Sequence, residues 1–482
     1  MEWFSADGYE LARQVLQRGI AAVFLVAFAS SLAQFRALLG ERGLQPTPDF
    51  LVRAADRVGP TVFRRRYSDR RVMVVAALGS VVAALLVAGL PQLGPSWMPM
   101  VAFLLLWGGY LSIVDIGQTF YAFGWESLIL EAGFLAAFLG SNETTPPITI
   151  IILMRWLVFR LEFGAGMIKL RGDRCWRDLS AMFYHHETQP MPNPLSWFFH
   201  HLPKWAHRGE VLGNHFAQLI APFFLFAPQP VASVAAAIVI LTQLWLVLSG
   251  NFAWLNVLTI VLAFSAVADP VAHVVISAMP AHTVTHPPDV WFIIVVLAVT
   301  VVMIALSYQP LRNLFSRHQL MNASFNRWHL GNAYGAFGTI TRTRYEVIVE
   351  ATDAQNPDDT TLWREYEFRG KPGDVHRLPR QFAPYHLRLD WLMWFLALRG
   401  SPEPWFFVFL QRLLEADPAT LRMLRSAPFG THRPAWVRAR MFRYRFSTWR
   451  ELRRDGVWWV RTPVAELVPP IRLPGSGIEY GA

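Results

Sequence analysis

Runs of about twenty apolar residues recur through the first two-thirds of this chain, too many and too long for a soluble core. They fall at roughly 19–39, 72–93, 97–116, 124–140, 148–168, 211–228, 231–249, 252–268 and 290–308. A hydrocarbon core about 30 Å thick is crossed by a helix of about 20 such residues. Within lipid, only helices and closed barrels satisfy their own backbone. The pattern therefore predicts a polytopic α-helical membrane protein with about eight or nine transmembrane helices. The runs at 124–140 and 211–228 are the weakest, and read as short, tilted or re-entrant. Residues 19–39 carry no small-residue cleavage site and read as a retained membrane helix rather than a leader.

Past residue 311 the period changes. RYEVIVEAT (344–352) alternates apolar and polar residues as a half-buried strand does, and LWREYEFRG (362–370) repeats the pattern before the turn chemistry of KPGD (371–374). LDWLMWFLALRG (389–400) and WFFVFLQRLLEA (405–416) read as helices, VRARMFRYRFS (437–447) as a strand, and the Pro-rich tail as a surface stretch. The expected organisation is a transmembrane bundle over 1–310, with a polar interfacial loop at 169–210, followed by a β-rich α+β extramembrane domain over 311–482.

The segment Arg155–Pro194 is where chemistry concentrates. An apolar helix carries Arg155, Arg160, Glu162 and Lys169, then leaves through Gly172 into a stretch dense in Arg, Asp, Trp, Tyr, His and Glu. A charge at the bilayer centre costs roughly 2.5–3.5 kcal/mol on insertion scales and turns toward a bundle interior or a water-filled cavity. The expected polar cavity is built from Asp115, Glu131, Arg155, Arg160, Glu162, Arg171, Asp173, Trp176, Tyr184, His185, His186, Glu187 and Gln189. Arg155 and Glu162 lie two helical turns apart on one face, and Glu126 or Glu131 can pair with Arg155 or Arg160, so the same charges also fit an ion-pair network that fixes helix registry. Burial would lower the pKa of Lys169 and suit it to act as a base; the same residue also fits an interfacial lysine paired with Glu162 or Asp173. His185 and Glu187 are expected to face the pocket of Lys169. Adjacent His185 and His186 diverge, and His200, His201, His207 and His215 show no ligand spacing, so no metal site is predicted.

Other classes are excluded. The net charge of +10 comes from 44 basic residues, of which only Lys169, Lys204 and Lys371 are lysines. Beside apolar helices such charge meets membrane lipids, not nucleic acid. The single Cys175 permits no internal disulfide. There is no Gly-x-Ser-x-Gly elbow, Walker loop or dinucleotide fingerprint, and no cofactor is called for. In the second half, Tyr345, Trp363, Tyr366, Trp391 and Trp394 could pack the sheet or present an aromatic face to a client.

Several blocks, in order, resemble the lipase maturation factor family: GQTFYAFGWESLILEAGFLAAF (117–138), RWLVFRLEFGAGMIKLRGDRCWRDLSAMFYHHETQPMPNPLSWFFHHLP (155–203), SGNFAWLN (249–256), NAYGAFGTITRTRYEVIVEAT (332–352), WREYEFRGKPGD (363–374) and HLRLDWLMWFLAL (386–398). The resemblance implies a membrane-anchored folding factor for secreted lipases or other exported enzymes, with its second half holding the client. Residues 311–482 would then be periplasmic on a bacterial inner membrane, or lumenal in the endoplasmic reticulum. The basic 40–71 link, with Arg64, Arg65 and Arg66, points to the cytoplasm instead, unless it forms a surface helix along the headgroups. A lone cysteine departs from the eukaryotic members and leaves no second thiol for a redox pair. A shorter block, GAGMIKLRGDRCW (164–176), resembles the vitamin K-dependent γ-glutamyl carboxylases and related transmembrane proteins. That likeness implies the alternative, a membrane enzyme with Lys169 as base on a quinone or lipid-like substrate.

Overall fold

In the computed structural model, which describes residues 3–275, 286–473 and 479–480, the apolar runs become helices. Five of the described helices are long and apolar enough to cross a membrane: Glu10–Leu39, Asp69–Ala88, Trp97–Asp115, Val231–Ser249 and Val290–Phe315. In Asp69–Ala88 and Val290–Phe315 only 22% of the apolar window is buried, so both turn most of their surface outward. In Glu10–Leu39 it is 61%, which puts that helix at the centre. Local chemistry sets the ends. Ser68 accepts a hydrogen bond from the Arg71 amide at the start of Asp69–Ala88, and Gly89, at φ +83°, stops it. Glu10–Leu39 has no cap of its own; the Asp269 carboxylate accepts from the Glu10 and Leu11 amides at 3.1 and 3.2 Å.

The remaining runs form shorter or more buried helices, Gly124–Ala136, Lys204–Leu219 and Leu255–Ala263, together with the charged Ile148–Arg171. The 40–71 link is not one long surface helix. It holds only Thr47–Arg53, and the Pro60–Tyr67 stretch is turn and coil with Arg64, Arg65 and Arg66 exposed.

The second half builds a five-stranded antiparallel sheet in the order β2-β1-β3-β4-β5: β1 Arg344–Thr352, β2 Arg364–Glu365, β3 Trp436–Phe446, β4 Trp459–Arg472 and β5 Glu479–Tyr480. One expectation is corrected here. β1 is buried on both faces rather than one: Val347, Val349 and Ala351 join the main core, where the Arg388–Arg399 helix packs, while Ile348 lies in a cluster with Trp197, Phe442, Tyr444, Phe446 and Trp459. The Pro-rich tail does lie along the surface, with residues 462–466 exposed, but it does so as the long strand β4. Its outer edge has no strand partner among the described residues before Ile471, so Pro463 and Pro469 can sit in it. The 362–370 stretch, by contrast, contributes only a two-residue strand.

The two halves share one hydrophobic core, which runs from Phe24 and Phe28 to Trp391, Trp405 and Phe409. Buried charges join them across it. Arg388 donates to Glu126 at 2.6 Å and to the Phe120 carbonyl at 2.8 Å, and its guanidinium lies 3.5 Å from the Tyr121 ring centre. Gln34 accepts from the Arg388 amide at 3.0 Å and donates to the His386 carbonyl at 2.7 Å. Removing one member of a buried pair leaves an uncompensated charge. Arg388→Ala is expected to cost about 3–5 kcal/mol, read as a lower midpoint in thermal unfolding of the detergent-solubilised protein.

His386 adds a pH dependence at the same joint. Burial first, and the Arg388 charge second, hold its imidazole down at about 4, with the Glu126 carboxylate opposing them. The unfolded chain protonates at roughly 6.5, so below that pH it takes up a proton the fold does not. Stability is therefore full above about 6.5 and declines as pH falls toward 4. His185 and His200, each held at about 3 chiefly by burial, contribute with the same sign. Unfolding midpoints followed from neutral pH down to about 5 should fall, and His386→Gln should flatten that decline.

Candidate functional site

Between the bundle and the sheet domain lies a cavity of about 360 Å³. One wall is polar. Glu162 and Lys169 enter from Ile148–Arg171, Asn214 and Gln218 from Lys204–Leu219, Gln243 from Val231–Ser249 and Asn256 from Leu255–Ala263. They form a continuous relay. Lys169 Nζ donates to Asn214 Oδ1 at 2.9 Å and Gln218 Oε1 at 2.8 Å. Gln218 and Gln243 donate to the two Glu162 oxygens at 3.1 and 2.6 Å, and Asn256 donates to Gln243 Oε1 at 2.7 Å. The Lys169 ammonium also sits 4.7 Å from the Trp176 ring centre, a cation–π distance.

The opposite wall is aromatic. Phe123 stacks on Trp125 at 4.6 Å, and Trp391 meets Trp125 edge to face at 4.9 Å. Trp394 and Phe395 continue this wall, and the Tyr334–Thr339 segment closes it. That segment approaches the helix closely at Gly164, where a Cβ would meet the Tyr334 carbonyl oxygen at 2.7 Å. An aromatic wall facing one ammonium and a row of amides suits an amphipathic occupant.

Of the residues expected to meet here, Glu162, Lys169, Trp176 and His185 do line the cavity, and Trp391 and Trp394, expected to pack the sheet or face a client, line it as well. The others are dispersed. Asp115 pairs with His329 at 3.4 Å. Arg160 pairs with Glu131, which also accepts from Tyr334 and from the Asn332 side chain at 2.9 Å. Arg155 donates to the Ser265 and Leu225 carbonyls, and its guanidinium lies 5.0 Å from the Tyr9 ring centre. Arg171 binds the Leu314 carbonyl and Gln319. Asp173 caps the Arg174–Arg177 turn and stands 3.6 Å from Arg342, which lies near the Tyr184 ring. Glu187 does not share the Lys169 pocket; it accepts from the Phe446 amide at 2.8 Å. Gln189 donates to Ser196 and to the Ser249 carbonyl. Lys169 pairs directly with neither Glu162 nor Asp173 but reaches Glu162 through Gln218.

The aromatic candidates of the second half are mostly turned inward. Tyr366 and Trp391 are 3% and 4% exposed, and Tyr345 packs against the core. Trp363 lies under the Arg438 guanidinium at 4.0 Å, and Trp394 donates to the Thr188 carbonyl at 3.2 Å.

Sequence reasoning missed the amides Asn214, Gln218, Gln243 and Asn256. The signal was present, since each is an uncharged polar residue standing within or beside an apolar run, where such groups hydrogen-bond across helices. It also missed that His186, His207 and Glu210 converge, their ligating atoms all lying within 4.8 Å of one another.

Comparison with known proteins places both halves. The family model described as "Lipase maturation factor transmembrane domain" matches residues 11–274, and "Lipase maturation factor C-terminal domain" matches 330–469. The chain is 38% identical to lipase maturation factor 1 of Homo sapiens over 501 residues, covering 96% of this chain and 88% of the relative. It is 37% identical to lipase maturation factor 1 of Mus musculus, at 96% and 87% coverage. Lipase maturation factor 2 of Homo sapiens is 28% identical, at 98% and 84%. No solved structure matches the chain.

Cutting the relay tests its energetic weight. Gln218→Ala leaves Lys169 and Glu162 each short of a partner, and a loss on the order of 1–3 kcal/mol is expected, measurable as a drop in the thermal midpoint.

Proposed function

This chain belongs to the lipase maturation factor family, and on that premise we propose that it matures secreted lipases as an integral membrane protein, acting on folding rather than on a covalent bond. One observation carries the reading: both family models match in order along a single chain, and that chain joins a helical bundle to a sheet domain through one core. The client is a lipase or another exported enzyme, and the membrane lipids are its second partner. It is met after translocation, so residues 311–482 face the periplasm in a bacterium or the lumen of the endoplasmic reticulum in a eukaryote.

The bundle over 1–310 completes its crossings with the helices at 124–136, 148–171, 204–224 and 255–266, giving eight or nine in all. The buried charges on those helices support this, since each is hydrogen-bonded within the protein and none is left to lipid. Lys169, Glu162, Trp176 and His185 serve as the lining of an amphipathic pocket. Trp363, partly exposed beside the open end of β2, contacts the client, while Tyr345, Tyr366, Trp391 and Trp394 hold the surface that presents it.

The enzyme alternative finds no support. The Lys169 ammonium donates to two amide oxygens, an arrangement that keeps its proton engaged rather than freeing a lone pair. The discriminating experiment measures secreted lipase activity in cells lacking this protein and complemented with variants. Lys169→Ala is expected to restore activity at normal protein levels, whereas Trp391→Ala is expected not to. Loss of activity in Lys169→Ala at unchanged expression would return the enzyme reading, and normal lipase activity in the deletion itself would end the maturation reading.

A further inference from the structure

The polar loop contains a second constellation, outside the cavity and unused by it. His186 lies on the Met182–Thr188 helix, and His207 and Glu210 lie one turn apart on Lys204–Leu219. Their side chains are 2%, 3% and 8% exposed. His186 Nε2 stands 3.2 and 3.3 Å from the two Glu210 oxygens, and His207 Nδ1 stands 2.8 Å from Glu210 Oε2. A cation bound at about 2.0–2.2 Å to each would hold its ligand atoms about 3.4 Å apart; the His186–Glu210 pair is close to this, the His207–Glu210 pair is shorter, and all three ligand atoms lie within 4.8 Å of one another.

His207 and Glu210 have the outer contacts of ligands held in place, while His186 Nδ1 is buried without a hydrogen-bond partner. His207 Nε2 lies 3.3 Å from the His200 carbonyl oxygen, which can only accept, so that nitrogen carries the hydrogen. In the neutral ring Nδ1 then presents a lone pair toward a carboxylate oxygen. Two lone pairs at 2.8 Å need a proton or a cation between them. Metal-bound histidines characteristically donate their other ring hydrogen to a carbonyl in this way. Trp245 Nε1 donates to Glu210 Oε1 at 3.0 Å and fixes the carboxylate. Phe199 lies against the His186 ring at 5.5 Å.

We infer that His186, His207 and Glu210 form a binding site for one divalent transition-metal ion of the zinc class. Two imidazoles and one carboxylate suit zinc, whereas calcium and magnesium take oxygen sets. Three protein ligands leave one position for water. The ion clamps the helix bearing His185 to the helix bearing Asn214 and Gln218, so it braces the partners of Lys169 from behind. This site stands independently of the maturation role.

The test uses the full chain in detergent with its affinity tag removed. After purification without chelator, elemental analysis is expected to find about one zinc per chain. Chelation should lower the thermal midpoint, and added zinc should restore it. Cobalt added to the chelated wild type should give the visible absorption bands of a four-coordinate N/O site. His207→Gln and Glu210→Gln should lose the bound zinc, and His432→Ala, a surface histidine 70% exposed, should keep it. Trp245→Phe should weaken binding about 10–100-fold. Wild-type protein without stoichiometric zinc and without a cobalt spectrum overturns the assignment even if the variants fail to fold. So does zinc retained by both ligand variants.

Discussion

The Glu126–Arg388 pair is the constraint on which the rest of the molecule depends. Both groups are buried, one on a bundle helix and one at the start of a helix in the sheet domain. Each would carry a desolvation cost of several kcal/mol alone, and their attraction offsets it only when both halves are in place. The Glu131–Arg160 pair, closed by Asn332 and Tyr334 from the second half, repeats the device, whereas the Arg344–Glu346–Lys371 cluster pairs its charges within the second half. Arg344 also donates to the carbonyls of Glu187 and Pro190, tying the polar loop to β1.

This joint explains where the cavity lies. Glu162 and Lys169 on an apolar helix turn inward, and the seam is where amides from two other helices reach them, with Asn256 of a third bonded to Gln243. The aromatic wall comes from both sides of the seam, Phe123 and Trp125 from the bundle and Trp391 from the sheet domain. The seam gives rigidity, because the sheet is braced on the helical part through a shared core and not hung on a flexible linker.

Much of the secondary structure was legible. The helix expected over 389–400 forms at Arg388–Arg399, and the strand expected over 437–447 at Trp436–Phe446. β4 was not legible, because proline reads as a strand breaker until the strand is known to have an open edge. Glu131 with Arg160 was readable as a pair of opposite charges on successive helices. Glu126 with Arg388 was not, since 262 residues separate them.

Length, period and charge placement in the sequence alone determined a membrane bundle followed by a sheet domain, and the quoted blocks determined the family. Those properties are local, because hydrophobic period and segment length are set residue by residue. Which ionised groups share a pocket was decided only by the tertiary structure. Of the charges gathered in 155–187, Lys169 and Glu162 reach the cavity, while Arg155, Glu187 and His186 find partners elsewhere. A buried charge must pair with whatever the fold brings within hydrogen-bonding distance, and sequence separation carries no record of that distance.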